Sequence, residues 1–159
     1  IFNLYCYRVA GAVGLISLRI FGDYNKKTKS FALYLAKALQ ITNILRDIKQ
    51  DKTMGRMYVP KEILNKVGIK SKKIIFILKN KKFPEACKNL AKIADLNFDH
   101  ADQQLKFCSK KKLKSAIIMM NTYKLLLKKI KKKGWVNLDE KVSLTKLEKI
   151  FIFIKGIIS

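Results

Sequence analysis

Ala38-Leu39-Gln40-Ile41-Thr42-Asn43-Ile44-Leu45-Arg46-Asp47-Ile48 puts apolar side chains on nearly every side of a helix that runs from about Phe31 to Asp51. A helix that is apolar all round is a buried one, so this segment reads as the central element of the fold. One line of polar groups interrupts it. Asn43, Asp47 and Asp51 stand at i, i+4 and i+8, and Gln40 lies three residues before Asn43. At 3.6 residues per turn these positions share one face, which Ala36 and Ala32 continue with small side chains. Amides and carboxylates among apolar neighbours are costly to desolvate unless something pairs with them. A divalent metal is the natural partner, because hard cations such as Mg²⁺ bind through one or two carboxylates and retain waters or phosphate oxygens. Asn43 and Gln40 supply neutral oxygens or hold waters behind the ligands. Arg46 and Arg56 flank the acidic residues and offer planar forks to phosphate. The plainer alternative is a solvated helix end, with Lys49 and Lys52 pairing with Asp51.

Outward from this segment the chain continues as helices. Phe2 to Phe21 carries apolar residues at 2, 5, 9, 12, 13, 16 and 20, the period of one helical face, and Gly22-Asp23 ends it. Lys26 to Ser30 reads as a polar linker. On the other side, Lys52 to Pro60 is a loop containing Gly55, and Pro60 opens a short helix from Lys61 to Val67. Residues 71–79 fit strand or helix on period alone, and with no partner strand elsewhere they are assigned to helix. Pro84 to about Phe107 is striped at Ala86, Leu90, Ala94, Phe98, Ala101 and Leu105. Leu113 to Lys132 is striped at Leu113, Ala116, Met120, Tyr123, Leu127 and Ile130, with Gly134 as its stop. Leu144 to Ile158 is the last helix, with Phe151 to Ile154, Ile157 and Ile158 as a core-facing end or, alternatively, a membrane-resting one. There is no internal repeat. The whole reads as one all-α domain, 1–159.

Composition agrees with a packed domain and excludes several classes. Of 159 residues, 49% are apolar and 10% aromatic, with seven Gly and two Pro, which is enough to bury a core and is unlike a disordered chain. No apolar run approaches the roughly 20 residues that span a bilayer, so a transmembrane protein is excluded. Cys6, Cys87 and Cys108 form no CxxC pair and no even set; they read as small core residues in a reducing cytoplasm. The 35 Lys+Arg against 11 Asp+Glu give a net charge of +24. The lysine excess beside abundant Ile, Asn and Phe is what an A+T-rich coding sequence produces, and its runs lack the interleaved aromatics of a nucleic-acid reader, so no nucleic-acid partner is expected. A basic surface does attract anionic lipid, and peripheral association with an anionic membrane is an expected partner interaction, at the inner face of the cytoplasmic membrane. The four Arg residues are Arg8, Arg19, Arg46 and Arg56. His100 reads as a partly buried, hydrogen-bonded ring.

The string Gln40-x-x-Asn43-x-x-Arg46-Asp47-x-x-x-Asp51, followed by Gly55-Arg56-x-Tyr58-x-Pro60, resembles the second aspartate-rich motif of the squalene/phytoene synthase family, which joins two prenyl diphosphates head to head. Tyr5-Cys6-Tyr7-Arg8-Val9-Ala10-Gly11-Ala12-Val13-Gly14 is similar to that family's other signature. Phe98 to Asp102, Met120 with Tyr123, Lys133-Gly134-Trp135 and Val142 to Lys146 look most like the bacterial presqualene diphosphate synthases of hopanoid pathways. The resemblance implies the isoprenoid synthase helical fold and a Mg²⁺-dependent prenyltransferase, with Mn²⁺ as a substitute ion and NADPH entering only where the reaction continues to squalene. It implies metal ligation by Asn43, Asp47 and Asp51, and diphosphate contacts from Gln40, Arg46, Arg56 and Tyr58. Tyr5 and Tyr123 are implied as catalytic, their rings facing carbocations, although plain packing is what their positions alone suggest. The family carries a first aspartate-rich motif that this chain lacks. The chain is therefore expected to be the C-terminal part of such a domain, with its N-terminal helices missing, and inactive by itself. The expected substrates are two farnesyl diphosphates. The alternatives are a phytoene synthase using two geranylgeranyl diphosphates, a non-catalytic scaffold of the same fold, and a helical domain that binds anionic membrane or nucleic acid by charge alone.

Overall fold

The computed structural model describes the backbone of residues 1–158 and, within them, all side chains except those of 155, 157 and 158. Nine α-helices occur among the described residues and no strand does: α1 (Phe2–Cys6), α2 (Ala12–Ile20), α3 (Lys26–Arg46), α4 (Ile48–Thr53), α5 (Lys61–Lys66), α6 (Ile74–Leu78), α7 (Phe83–Leu105), α8 (Lys114–Lys133) and α9 (Lys146–Ile158). A π-helical turn, Tyr7–Gly11, joins α1 to α2 without a loop. The all-α reading holds, including the helical assignment within 71–79.

The segment expected to be central is central. α3 buries Phe31, Ala32, Leu35, Ala36, Ala38, Ile41, Ile44 and Leu45, and its most extensive pairing is with α7. Small residues let the two backbones come close: Ala38 on α3 and Ala86, Ala94 and Ala101 on α7 are fully excluded from solvent. α8 closes a third side, and Gly134 ends it with φ of +78°, a left-handed turn that suits glycine. The Trp135 indole then donates to the Leu45 carbonyl at 3.1 Å, tying the end of α8 to α3 across 90 residues of sequence.

Several expectations are corrected. Lys26–Ser30 is not a linker but the first turns of α3. Asn25 accepts from the Lys27 and Thr28 N–H groups, and the Thr28 hydroxyl accepts from the Asn25 N–H, a capping box built with Thr in place of Glu. The central helix does not run unbroken to Asp51. Asp47 leaves helical geometry at φ −100° and ψ 12°, yet its N–H still donates to the Asn43 carbonyl at 2.9 Å, and the Asp51 N–H donates to Asp47 at 2.8 Å. The i, i+4, i+8 register therefore survives the bend. Third, the apolar stripe read along the first helix is not its core face: Val9, Val13, Ile16 and Ile20 are exposed, whereas Cys6, Gly11 and Leu18 are buried. The helix is apolar on two sides, and period alone does not say which one meets the core. Last, of the residues 151–154 only Ile152 is buried; the side chains of Ile157 and Ile158 lie outside those described. His100 is also exposed, its ring tilted against Tyr34 with centroids 5.0 Å apart.

Candidate active site

α3, the bend with α4, and the loop that follows converge on one mixed-polarity corner. α3 presents Gln40, Asn43 and Arg46, the bend and α4 present Asp47 and Asp51, and the loop after α4 brings back Arg56 and Tyr58. The Gln40 Nε2 donates to the Tyr5 hydroxyl at 3.1 Å, and the Tyr5 ring stacks on Tyr58 with centroids 5.5 Å apart and planes 23° from parallel. Burial pushes the Tyr5 phenol above its ordinary range, partly offset by Gln40.

Arg46 grips Asp47 with a two-pronged fork, Nε to Oδ1 at 2.8 Å and Nη2 to Oδ2 at 2.6 Å. That hydrogen bonding raises the Arg46 pKa, with a further contribution from the facing Tyr123. A carboxylate offers about four lone-pair directions, so the fork leaves Asp47 with two to share. Asp51 is raised above the ordinary carboxylate range, first by burial and then by the charge of Asp47, while Arg56 pulls the other way. Asp51 thus lies close enough to the Arg46-bound Asp47 carboxylate to feel its charge. Asn43 Oδ1 stands out: it is buried and has no hydrogen-bond partner. A buried carbonyl oxygen left alone is expensive, and a cation or an ordered water is what satisfies it.

This corner opens into an apolar cavity of about 280 Å³ between α2, α3 and α8. Gln40, Asn43 and Tyr123 stand at its polar end, and Val13, Leu35, Leu39 and Met119 lie along its walls. Gln40, Asn43 and Tyr123 thus line the cavity, and Tyr5, Arg46, Asp47, Asp51, Arg56 and Tyr58 adjoin them through contacts or mutual charge effects outside it. Of the walls, only Ala32 and Ala36 were read from sequence. α8 turns Ala116, Met119 and Tyr123 to the cavity and Met120 to the core, where it is 2% exposed; the i, i+3, i+7 spacing of the first three was the available signal. Among the described residues no group of three His, Cys, Asp or Glu forms a ready metal cage. Two carboxylates and the unpartnered Asn43 oxygen instead fit a hard cation that completes its shell with waters and phosphate oxygens.

Residues 2–148 match the family model for squalene/phytoene synthase. The chain belongs to the squalene/phytoene synthase family. Among curated family members, a presqualene diphosphate synthase of Sinorhizobium fredii is 37% identical over 147 residues, covering 92% of this chain and 53% of the relative. One from Rhodopseudomonas palustris is 36% identical over 153 residues, covering 96% and 55%. A chloroplastic phytoene synthase of Arabidopsis thaliana is 31% identical over 156 residues, covering 92% and 36%. The chain spans about half the length of the presqualene diphosphate synthases it matches. A dehydrosqualene synthase structure superposes with a TM-score of 0.71 at 23% identity, covering 98% of this chain and 55% of that one. The fold is the isoprenoid synthase helical fold of this squalene/phytoene synthase family.

Proposed function

We propose that this chain forms the diphosphate-holding wall of a prenyltransferase that condenses two farnesyl diphosphates head to head to presqualene diphosphate. The observation that carries the reading is the unpartnered Asn43 oxygen beside Asp47 and Asp51 at the polar end of an apolar cavity. In this reading Asn43, Asp47 and Asp51 hold Mg²⁺, or Mn²⁺ in its place, which neutralises the charge of a departing diphosphate. Arg46 and Arg56 receive phosphate oxygens, with Gln40 and Tyr58 close by. As the allylic C–O bond breaks, the electron pair leaves with the diphosphate. The double bond of the second prenyl chain then attacks the cation, and the released diphosphate takes up the proton lost as the cyclopropane closes. Tyr5 and Tyr123 present ring faces and hydroxyls to that charge. NADPH belongs to the reading only if reduction to squalene follows.

Presqualene diphosphate synthases match nearly the whole chain at 36–37% identity, which favours farnesyl over the geranylgeranyl diphosphate of a phytoene synthase. Relatives twice as long support the view that condensation needs a facing acidic wall outside these residues. The 159-residue chain is expected to bind farnesyl diphosphate with Mg²⁺ and to release no product. A fusion placing the unmatched N-terminal part of the Sinorhizobium fredii relative ahead of Ile1 is expected to turn over farnesyl diphosphate with Mg²⁺. Asp47→Ala is expected to abolish that turnover. Turnover by the chain alone refutes the single-wall reading, and Mg²⁺-independent diphosphate binding favours the scaffold alternative. A cytoplasmic site with peripheral attachment to an anionic membrane completes the proposal, in keeping with the charge and a long hydrocarbon product. No helix among the described residues is long and apolar enough to cross a membrane.

A further inference from the structure

Contacts between the helices fix the direction in which the apolar cavity runs. Tyr5 meets Gln40 and Gly14 lies against Ala32, so α1 and α2 run antiparallel to α3. The Lys112 ammonium, just ahead of α8, donates to the Gly22 carbonyl at 2.8 Å, and Trp135, just past α8, reaches Leu45, so α8 runs in the same direction as α3. On all three helices the lining residues then fall in one order. Asn43, Gln40 and Tyr123 mark the diphosphate end, small side chains such as Ala32 and Ala36 the middle, and Leu18, Phe21 and Phe31 the far end. The bore is therefore built small and its end large. Phe31 and Leu18 are fixed in the core, and Phe21 packs against that core from the end of α2. Next in the chain, the turn at Gly22 is held by Lys112, and the Phe31 ring, 1% exposed, backs onto protein.

Length decides what reaches this end. Asn43 and Phe31 are twelve residues apart on α3, about 18 Å of axial rise. An extended main chain advances about 1.2 Å per bond, so the eleven main-chain bonds of a farnesyl group span about 13 Å and the fifteen of a geranylgeranyl group about 18 Å. With a diphosphate and its cation occupying the polar end, the shorter chain stops at Phe31. The last isoprene unit of the longer one runs into it.

We propose that Phe31, with Phe21 at the same end, is the floor that sets prenyl chain length, admitting farnesyl and turning back geranylgeranyl diphosphate. This rests on the functional reading of the cavity as the prenyl site and adds to it the residues that choose the substrate. The test is calorimetry on the 159-residue chain with Mg²⁺ and, in turn, geranyl, farnesyl, geranylgeranyl and inorganic diphosphate. The parent chain is expected to bind farnesyl diphosphate about fivefold or more tighter than geranylgeranyl diphosphate. Phe31→Leu and Phe21→Ala are each expected to shift that ratio about fivefold or more toward the longer chain, a gain that geranyl diphosphate, too short to reach the floor, does not share. Phe31→Leu keeps most of the buried apolar volume, and the half-buried Phe21 provides the second variant should melting show that Phe31→Leu unfolds. A ratio unmoved in the folded variants, or an equal change for all three prenyl ligands, which marks loosened packing, overturns the floor while leaving the diphosphate wall in place. A parent chain that binds no inorganic diphosphate with Mg²⁺ overturns the wall and the floor together.

Discussion

Asp51 has neighbours that disagree about its charge. Burial and Asp47 favour the protonated carboxyl, while Arg56 favours the ionised one. With its pKa raised in the folded chain above the ordinary 3.8, the stabilising contribution of this group is fully present below about pH 3.8 and lost as pH rises through the raised value. At neutral pH, Asp51→Asn is accordingly expected to stabilise the metal-free chain slightly, by less than about 1 kcal/mol after solvent screening, while removing the gain in melting temperature that Mg²⁺ plus inorganic diphosphate confers on the parent chain. A fall in metal-free stability counts against the electrostatic account. Trp135 is a different kind of residue, serving structure alone. Trp135→Phe keeps most of the apolar volume but leaves the Leu45 carbonyl without its donor, and urea denaturation is expected to show a loss of about 1–3 kcal/mol. Site identities were legible from sequence because the residues that share a cation sit at helical spacing, so Asn43, Asp47 and Asp51 announce themselves. That the Asn43 oxygen has no partner was not legible, since an unmade bond depends on every neighbour in space.

Elements were legible where hydrophobic period and stop signals agreed, as for α7 and α8, and less so where a helix is apolar on more than one side. α2 and α9 both belong to that second class. The start of α3 was missed for another reason: Asn25-x-x-Thr28 caps the helix, but six polar residues in a row, Asn25 to Ser30, look like loop until the hydrogen bonds are seen. Asn25→Ala is expected to cost about 1 kcal/mol in chemical denaturation. Gly14 reports on how α2 meets α3. A Cβ there falls 3.5 Å from the Ala32 carbonyl oxygen and 3.6 Å from its Cβ, in ordinary contact. Gly14→Ala is therefore tolerated. Gly14→Phe, whose ring must enter the cavity that Gly14 lines, is expected to weaken farnesyl diphosphate binding at least tenfold while leaving inorganic diphosphate binding unchanged, measured by calorimetry. Equal weakening of both ligands places the effect outside the cavity.

Across the whole molecule, +24 charges on 159 residues repel one another, and the ion pairs seen, such as Lys131–Asp95 at 2.5 Å and Lys129–Glu148 at 2.8 Å, engage only a few of them. Screening relieves that repulsion in the compact state more than in the expanded one. The melting temperature is expected to rise by several degrees between about 20 mM and about 200 mM salt; a fall shows that the ion pairs outweigh the repulsion. The same salt is expected to weaken attachment to anionic vesicles, so folding and membrane binding respond to ionic strength with opposite sign. A composition rich in lysine gave notice of this at the outset, while the cavity, which needs three helices at once, did not show in any single stretch.

The π-helical turn Tyr7–Gly11 acts as a phase shifter in the chain. It places Cys6 and Gly11, five residues apart, both in the interior, and so absorbs one residue more than an α-helix would. Everything upstream is rotated by about 100° relative to an unbroken α-helix. The wider turn is what keeps Tyr5 aimed at Gln40 with that extra residue in the chain. Deleting one residue within the turn restores an α-helix and leaves the phenol aimed at Gln40, whereas a Cβ at Gly11 falls 3.1 Å from the Tyr7 ring and 3.3 Å from the Leu33 side chain, so both neighbours must give way. Natural variants of this chain should accordingly tolerate the loss of one residue across Tyr7–Gly11 more readily than a side chain at Gly11.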